Sequence, residues 1–272
     1  MGYQAGALEL DAVNATFAGA KGDIEENTMM NDTNIDRIAP SRRPSGRSDG
    51  TQSWQSLLFM HWRVPPETLS RVIPSGLELD TFQGTAYLGI VPFQMRAIRP
   101  RWLPRSMAFN FLETNVRTYV VHQGRPGVFF FSLDASSRLA VMAARWGWSL
   151  PYFYASMSHY SDSGKIRYES RRASGVRHDV SFRVGTEEVV SQPGTLEHFL
   201  FERYLLFVER RGEVHVGQVH HDPYRVRTAE IDEINDDLAR AAGVDVPAGN
   251  PDLAHFCDGV DVEVFGIKPA TN

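Results

Sequence analysis

Between Phe111 and Val120 the chain alternates strictly: Glu113, Asn115, Arg117 and Tyr119 take one parity, and Leu112, Thr114, Val116, Thr118 and Val120 take the other. A β-strand sends successive side chains to opposite faces, so this pattern predicts a strand with one polar row. That row holds an acid, an amide, a guanidinium and a phenol. It either faces solvent or lines a polar cavity.

The surrounding pattern predicts more strands than helices. Leu57–Val64 reads as a strand, and Glu67–Val72 as a short helix begun at Pro66 and stopped by Pro74 and Gly76. Thr85–Ile98 reads as a strand bulged or interrupted near Pro92, and 99–106 as a proline-rich loop. The polar-row strand turns through His122–Gly127 into Val128–Ala135, which is apolar on both faces at first and so central. A helix capped by Ser136 or Ser137 follows, with Leu139, Met142, Ala143 and Trp146 on one face and Gly147 near its end. Extended chain from Ser149 leads through a Ser-Asp-Ser-Gly turn to a strand over 165–172, and 180–185 is another. Thr195 caps a short helix that gives way to a strand near Leu205–Glu209. Residues 213–231 read as strand, turn, strand, residues 231–244 as an amphipathic helix, and 259–267 as a last strand. Many antiparallel strands with a few scattered helices make this an α+β chain built on a large sheet or barrel.

Composition changes this picture at the N-terminus. Residues 1 to about 50 are rich in Gly, Ala, Asn, Asp and Ser and lack sustained periodicity. They bury too little apolar area to offset their ordering entropy, so a disordered tail over 1–50 and one domain over 51–272 are expected. The 272 residues suffice for an ample core. The net charge of −5 and the lack of a clustered basic run argue against nucleic acid as a partner. No apolar run reaches membrane-spanning length, so no membrane is expected, and no secretion pattern is visible. One cysteine, Cys257, rules out a disulfide within the chain and fits a reducing cytoplasm.

No phosphate loop, dinucleotide fingerprint or GxSxG elbow is present, and no cofactor is expected. His220 and His221 are adjacent and so point apart on a strand, and no HxH or HExxH pattern supports a metal. The candidate chemistry therefore lies in the polar row and its neighbours. The next strand adds Ser132 and Asp134 on one face, the following helix adds Arg145 among apolar residues, and Arg171 and Arg203 lie further on. Buried carboxylates and guanidinium groups must be paired or bound to something. Two readings stay open: an internal ion-pair network, or a cavity lined for a ligand.

Seven segments in order carry a resemblance: LLFMHWRVP, GLELDTFQGTAYLGIVPFQM, FLETNVRTYV, GVFFFSLDA, ARWGWSLPYFYASM, YESRR and LEHFLFERY. Together they resemble the YqjF-like family of bacterial proteins, which is grouped with the acetoacetate-decarboxylase-like superfamily. The likeness runs from about Trp54 to Phe265. It implies an antiparallel β-barrel or cone with peripheral helices and a central cavity, with the polar row facing inward. The decarboxylases carry a Gly-Phe-Pro-Lys-Lys segment whose first lysine forms a Schiff base. The matching stretch here is Ser149–Phe153, in which Pro151 agrees but Tyr152 and Phe153 replace the lysines. The chain has only Lys21, Lys165 and Lys268, none of them in a predicted core position. The resemblance therefore implies a small-molecule cavity without imine chemistry. Glu113, Tyr152 and Asp134 are the candidate catalytic groups, and Arg117, Asn115, Tyr119, Arg145 and Ser132 the candidate ligand-binding groups. The expected ligand is a polar metabolite, anionic or carbonyl-bearing. The oligomeric state is left open.

Overall fold

A computed structural model describes residues 35–142, 150–247 and 249–270. One compact unit spans Arg37–Asn272. Its strands are β1 (Gly50–Val64), β2 (Glu78–Leu79), β3 (Ala86–Pro100), β4 (Phe109–His122), β5 (Arg125–Ala135), β6 (Tyr152–Asp162), β7 (Lys165–Arg172), β8 (Arg177–Val189), β9 (Leu205–Arg210), β10 (Glu213–His220), β11 (Val226–Asp236) and β12 (Leu253–Pro269). The helices are short: α1 (Pro66–Ser70), α2 (described over 138–142), α3 (Leu196–Phe201) and α4 (Leu238–Ala241). No described helix is long and apolar enough to cross a membrane.

The sheet is organised around a wall in the order β5-β4-β3-β1-β12. Each outer strand of this wall divides its free edge between two partners. β5 pairs in parallel with β9 through Val128 and Phe129, and in parallel with β6 through Leu133–Ala135. β12 pairs with β11 through His255–Cys257 and with β10 over Glu263–Pro269. The forks close two rings. One runs β1-β3-β4-β5-β6-β7-β8-β11-β12 and the other β1-β3-β4-β5-β9-β10-β12. This is the cone- or barrel-like, sheet-dominated α+β fold expected from the sequence, with two parallel junctions at β5 in an otherwise antiparallel arrangement.

Turn chemistry sets the hairpin registers. Gln123-Gly124, Ser163-Gly164 and Arg211-Gly212 are two-residue loops with both residues at positive φ. That is the turn whose twist matches a right-twisted strand pair, and glycine carries its second position without strain. Thr195 caps α3 by accepting from the His198 amide, and Ser137 caps α2 by accepting from Ala140. Pro92 lies where the β1/β3 ladder slips between Gln55 and Met60, across from the left-handed Ser56. A second slip, at Ala97 (φ 50°), breaks β3 from β4 between Met95 and Ile98.

The helix expected over 231–244 is mostly strand. β11 continues to Asp236, and only Leu238–Ala241 is helical. Ile231 faces Phe182 and Ile234 faces Val180, with Asp232 bulged out between them. The bulge returns Ile231 and Ile234 to one face at a spacing of three, which imitates helical periodicity.

Residues 37–49, inside the expected tail, contact the sheet. Arg37 binds Asp80, Arg43 binds Glu263 at 2.6 Å, and Asp49 exchanges backbone bonds with Val264 and Arg101. Residues 37–49 are thus part of the packed unit, and residues 1–34 of the expected tail lie outside the described residues.

Candidate functional site

The polar row is not a solvated face. Glu113 is 3% exposed, Asn115 6%, Arg117 8% and Tyr119 0%, while Val116, Thr118 and Val120 on the other parity are also buried. β4 is enclosed on both sides because the wall is shared by both rings. Leu58, Met60, Leu88, Ile90 and Val116 pack with Tyr168, Val180 and Phe182 of β7 and β8, so the nine-strand ring closes over the Val116 face. The Tyr119 face packs instead against Phe199, Leu200 and Phe201 of α3. The row therefore points into the seven-strand side of the wall.

On that face Glu113 and Tyr152 meet. Pairing of Glu113 with Ala135, and of Leu133 with Tyr152, brings β6 across β5 toward the acid. The Tyr152 hydroxyl donates to Glu113 Oε2 at 2.7 Å. Leu133, Ala135, Val141, Leu150 and Val208 surround the phenol. Burial pushes the Glu113 carboxyl up to about 8, opposed by the Tyr152 hydrogen bond and reinforced by the charge of Asp134 through the sheet. Glu113 is thus largely a neutral acid at pH 7. The Tyr152 phenol is held well above its usual range, by burial first and then by Glu113, so it keeps its proton. Arg145 lies outside the described residues.

Arg117 does not join this pair. Its side chain crosses β3 at Gly89, where an added Cβ would lie 3.3 Å from Arg117 Cγ and 3.4 Å from His61 Cδ2. The missing side chain lets the guanidinium reach over the Phe59 ring, 5.5 Å from its centroid, on the side away from β5 and β6. Successive same-face positions are roughly 7 Å apart along a strand, so Arg117 starts about 14 Å from Glu113. There Tyr119 donates to the Leu200 carbonyl at 2.9 Å and lies 2.8 Å from His61 Nε2. With the phenolic proton given to Leu200, His61 carries its proton on Nε2 and donates to Tyr119. Burial, then the charges of Arg117 and His255, hold the His61 imidazole well below its usual range. Beside this centre Arg203 binds Asp80 at 2.8 Å and donates to the Phe199 carbonyl at 2.7 Å, which fixes the end of α3.

Ser132 and Asp134, grouped with the polar row in the sequence reading, lie on the opposite face. Ser132 pairs with Val116 and Asp134 with Thr114, so both share the Val116 parity. There Arg172 Nε donates to Asp134 at 2.7 Å, Arg172 Nη2 to Ser132 at 2.9 Å, and Ser170 to Asp134 at 3.0 Å. This is a mutually satisfied ion-pair cluster rather than part of the Glu113 centre.

Several participants were missed from sequence. Period two from Tyr168 marks Ser170 and Arg172 as inward, whereas the reading singled out Arg171, which is exposed. His61 shares a parity with Leu57 and Phe59 and was visible by the same rule. Asp80 sits just past β2 and carried no local signal. Buried Glu202, bonded by Tyr204 at 2.5 Å and by the Tyr224 amide at 3.2 Å, likewise carried none. Among the described residues no group of three or more His, Cys, Asp or Glu is placed to hold a metal. Lys165 is half-exposed beside Asp232, and Lys268 is exposed near the end of β12.

The fold resembles that of acetoacetate-decarboxylase-like proteins. The chain superposes on the enduracididine biosynthesis enzyme MppR, solved with pyruvate, with a TM-score of 0.60 at 14% identity over 85% of this chain and 93% of that one. It superposes on acetoacetate decarboxylase from Legionella pneumophila with a TM-score of 0.60 at 11% identity, over 86% and 94%. The chain belongs to the DUF2071 family, described as an uncharacterised conserved protein, whose model matches residues 51–261. It is 36% identical over 220 residues to the uncharacterised protein YqjF of Bacillus subtilis, covering 80% of this chain and 90% of that protein.

Proposed function

We propose that the protein binds a small polar metabolite, anionic or carbonyl-bearing, on the Tyr119 face, and that Glu113 and Tyr152 act on it by acid–base chemistry without an imine. The observation that carries this is the 2.7 Å bond between a buried Tyr152 and a Glu113 whose carboxyl is raised to about 8. Because Oε2 accepts from Tyr152, the acid's own proton belongs on Oε1, where it can be donated to a ligand carbonyl. Asn115, next along the row, has a buried Oδ1 without a hydrogen-bond partner, as a binding position requires. Tyr152 stands where the resemblance places the decarboxylases' Schiff-base lysine, and a phenol can polarise a carbonyl but cannot form an imine. With Cys257 as the chain's one cysteine, the proposed location is a reducing cytoplasm. The ion-pair reading holds for the Val116 face, where Asp134, Arg172, Ser132 and Ser170 satisfy one another.

Similarity in fold to a protein solved with pyruvate makes 2-oxo acids the first ligands to try. A thermal-shift screen of oxo acids and related metabolites should find a compound that raises the melting temperature of the wild type saturably. Glu113→Leu, which removes the donor, and Tyr152→Phe, which removes the hydroxyl that holds the acid, should each weaken its binding by about tenfold or more, the effect of losing one buried hydrogen bond. A screen without a hit, or a hit bound equally well by both variants, would overturn the proposal.

A further inference from the structure

The three arginines buried among the described residues differ in one respect. Arg172 is held by Asp134 and Arg203 by Asp80, whereas Arg117 has no carboxylate partner. Only neutral groups hold it: Nη2 makes a 3.4 Å contact to the Leu200 carbonyl, the guanidinium hydrogen-bonds Tyr119, and its Nε is buried without a partner. A guanidinium stays ionised at any physiological pH, and a buried charge without a counter-charge is costly. The surroundings are aromatic: Phe59 and Tyr119 lie under the guanidinium, and Tyr224 packs on Phe59 at 5.2 Å.

We infer that Arg117 is the seat of a separate binding site, for the carboxylate of a small organic monoanion. Charge and shape select this ligand. The planar fork of a guanidinium matches a carboxylate, and the aromatic walls suit an anion with an apolar tail better than a strongly hydrated phosphate or sulfate. Gly89 makes the seat by leaving the trough through which Arg117 reaches Phe59 and His61. The seat lies on the opposite side of β4's row from Tyr152, so it stands whether or not Glu113 and Tyr152 act on a ligand.

The test uses the full chain, with acetate, propanoate and butanoate as probes against chloride and phosphate at matched ionic strength. These alkanoates lack the ketone through which the Glu113 pair would be engaged. The wild type should show a saturable rise in melting temperature, about 5 °C at a large excess over Kd. Arg117→Met should abolish that rise and, without added carboxylate, melt no lower than the wild type, because it removes an unpaired charge. Arg172→Met should melt lower, because it strands Asp134. Glu113→Gln should keep the carboxylate response. The inference is overturned if no alkanoate gives a rise, or if phosphate gives an equal one. It is also overturned if Arg117→Met melts as low as Arg172→Met, or if Glu113→Gln loses the response.

Discussion

Replacing Glu113 by Gln tests the buried acid most simply, because glutamine keeps the shape and the neutrality of a protonated carboxyl. In the fold the group titrates near 8, against an ordinary 4.5. The sign follows from proton counting. Between these values the folded chain holds a proton that the unfolded chain has released, so wild-type stability falls as pH rises from 4.5 to 8. Each unit corresponds to about 1.4 kcal/mol, which makes roughly 3 kcal/mol by pH 7 and roughly 5 kcal/mol across the whole window. Glu113→Gln has no such dependence. Urea denaturation of both proteins from pH 4 to pH 9 should give equal stabilities near pH 4. A gap should then open in favour of the variant up to about pH 8 and stay constant beyond it. At a few °C per kcal/mol, the melting temperatures should separate by about 10 °C at pH 8. Parallel curves at all pH values, or a wild type that gains on the variant as pH rises, would show instead that Glu113 is ionised in the fold at neutral pH.

Asp134→Ala strands the Arg172 guanidinium in a buried site and should cost about 3–5 kcal/mol in chemical denaturation; a loss below about 1 kcal/mol would show that the pair is not buried as described. A chain beginning at Arg37 should melt like the full chain, given the composition of residues 1–36. One beginning at Ser48 loses the Arg37–Asp80 pair and should be about 2 kcal/mol less stable, and equal melting of the two would discount that pair. Borohydride treatment with 2-oxo acids should leave the intact mass unchanged, since Lys165 and Lys268 are both exposed rather than set in a buried site; an adduct mapped to either lysine would contradict this.

Many of the strands, and two of their hairpins, could be read from alternation and turn chemistry, whereas the order of strands in the sheet could not. The β4–β5 and β6–β7 hairpins, the α3 cap at Thr195 and the polar row of β4 all follow from local rules. Two kinds of error have physical causes. The bulge at Asp232 gave β11 a helical spacing, so a period that normally identifies helices identified a kinked strand. The site suffered from a parity that sequence cannot relate between strands. Period two fixes faces within β4 and within β5, but only the observed register, Thr114 against Asp134, shows that Asp134 and Glu113 are on opposite faces. The reach of Arg117 across Gly89 was equally hidden, since it depends on which glycine lies beside it on β3. Distant partners such as Asp80 for Arg203, 123 residues apart in sequence, leave no local trace.

A polar metabolite held on the Tyr119 face by Glu113 and Tyr152 would be visible in a bound structure. The most direct test is a crystal structure of the protein with the tightest oxo acid from the thermal-shift screen. A ligand carbonyl oxygen is expected within hydrogen-bond distance of Glu113 Oε1 or the Tyr152 hydroxyl, with no covalent bond to any lysine. A ligand seated on the outer surface, or among Asp134, Arg172 and Ser132 on the Val116 face, would contradict this.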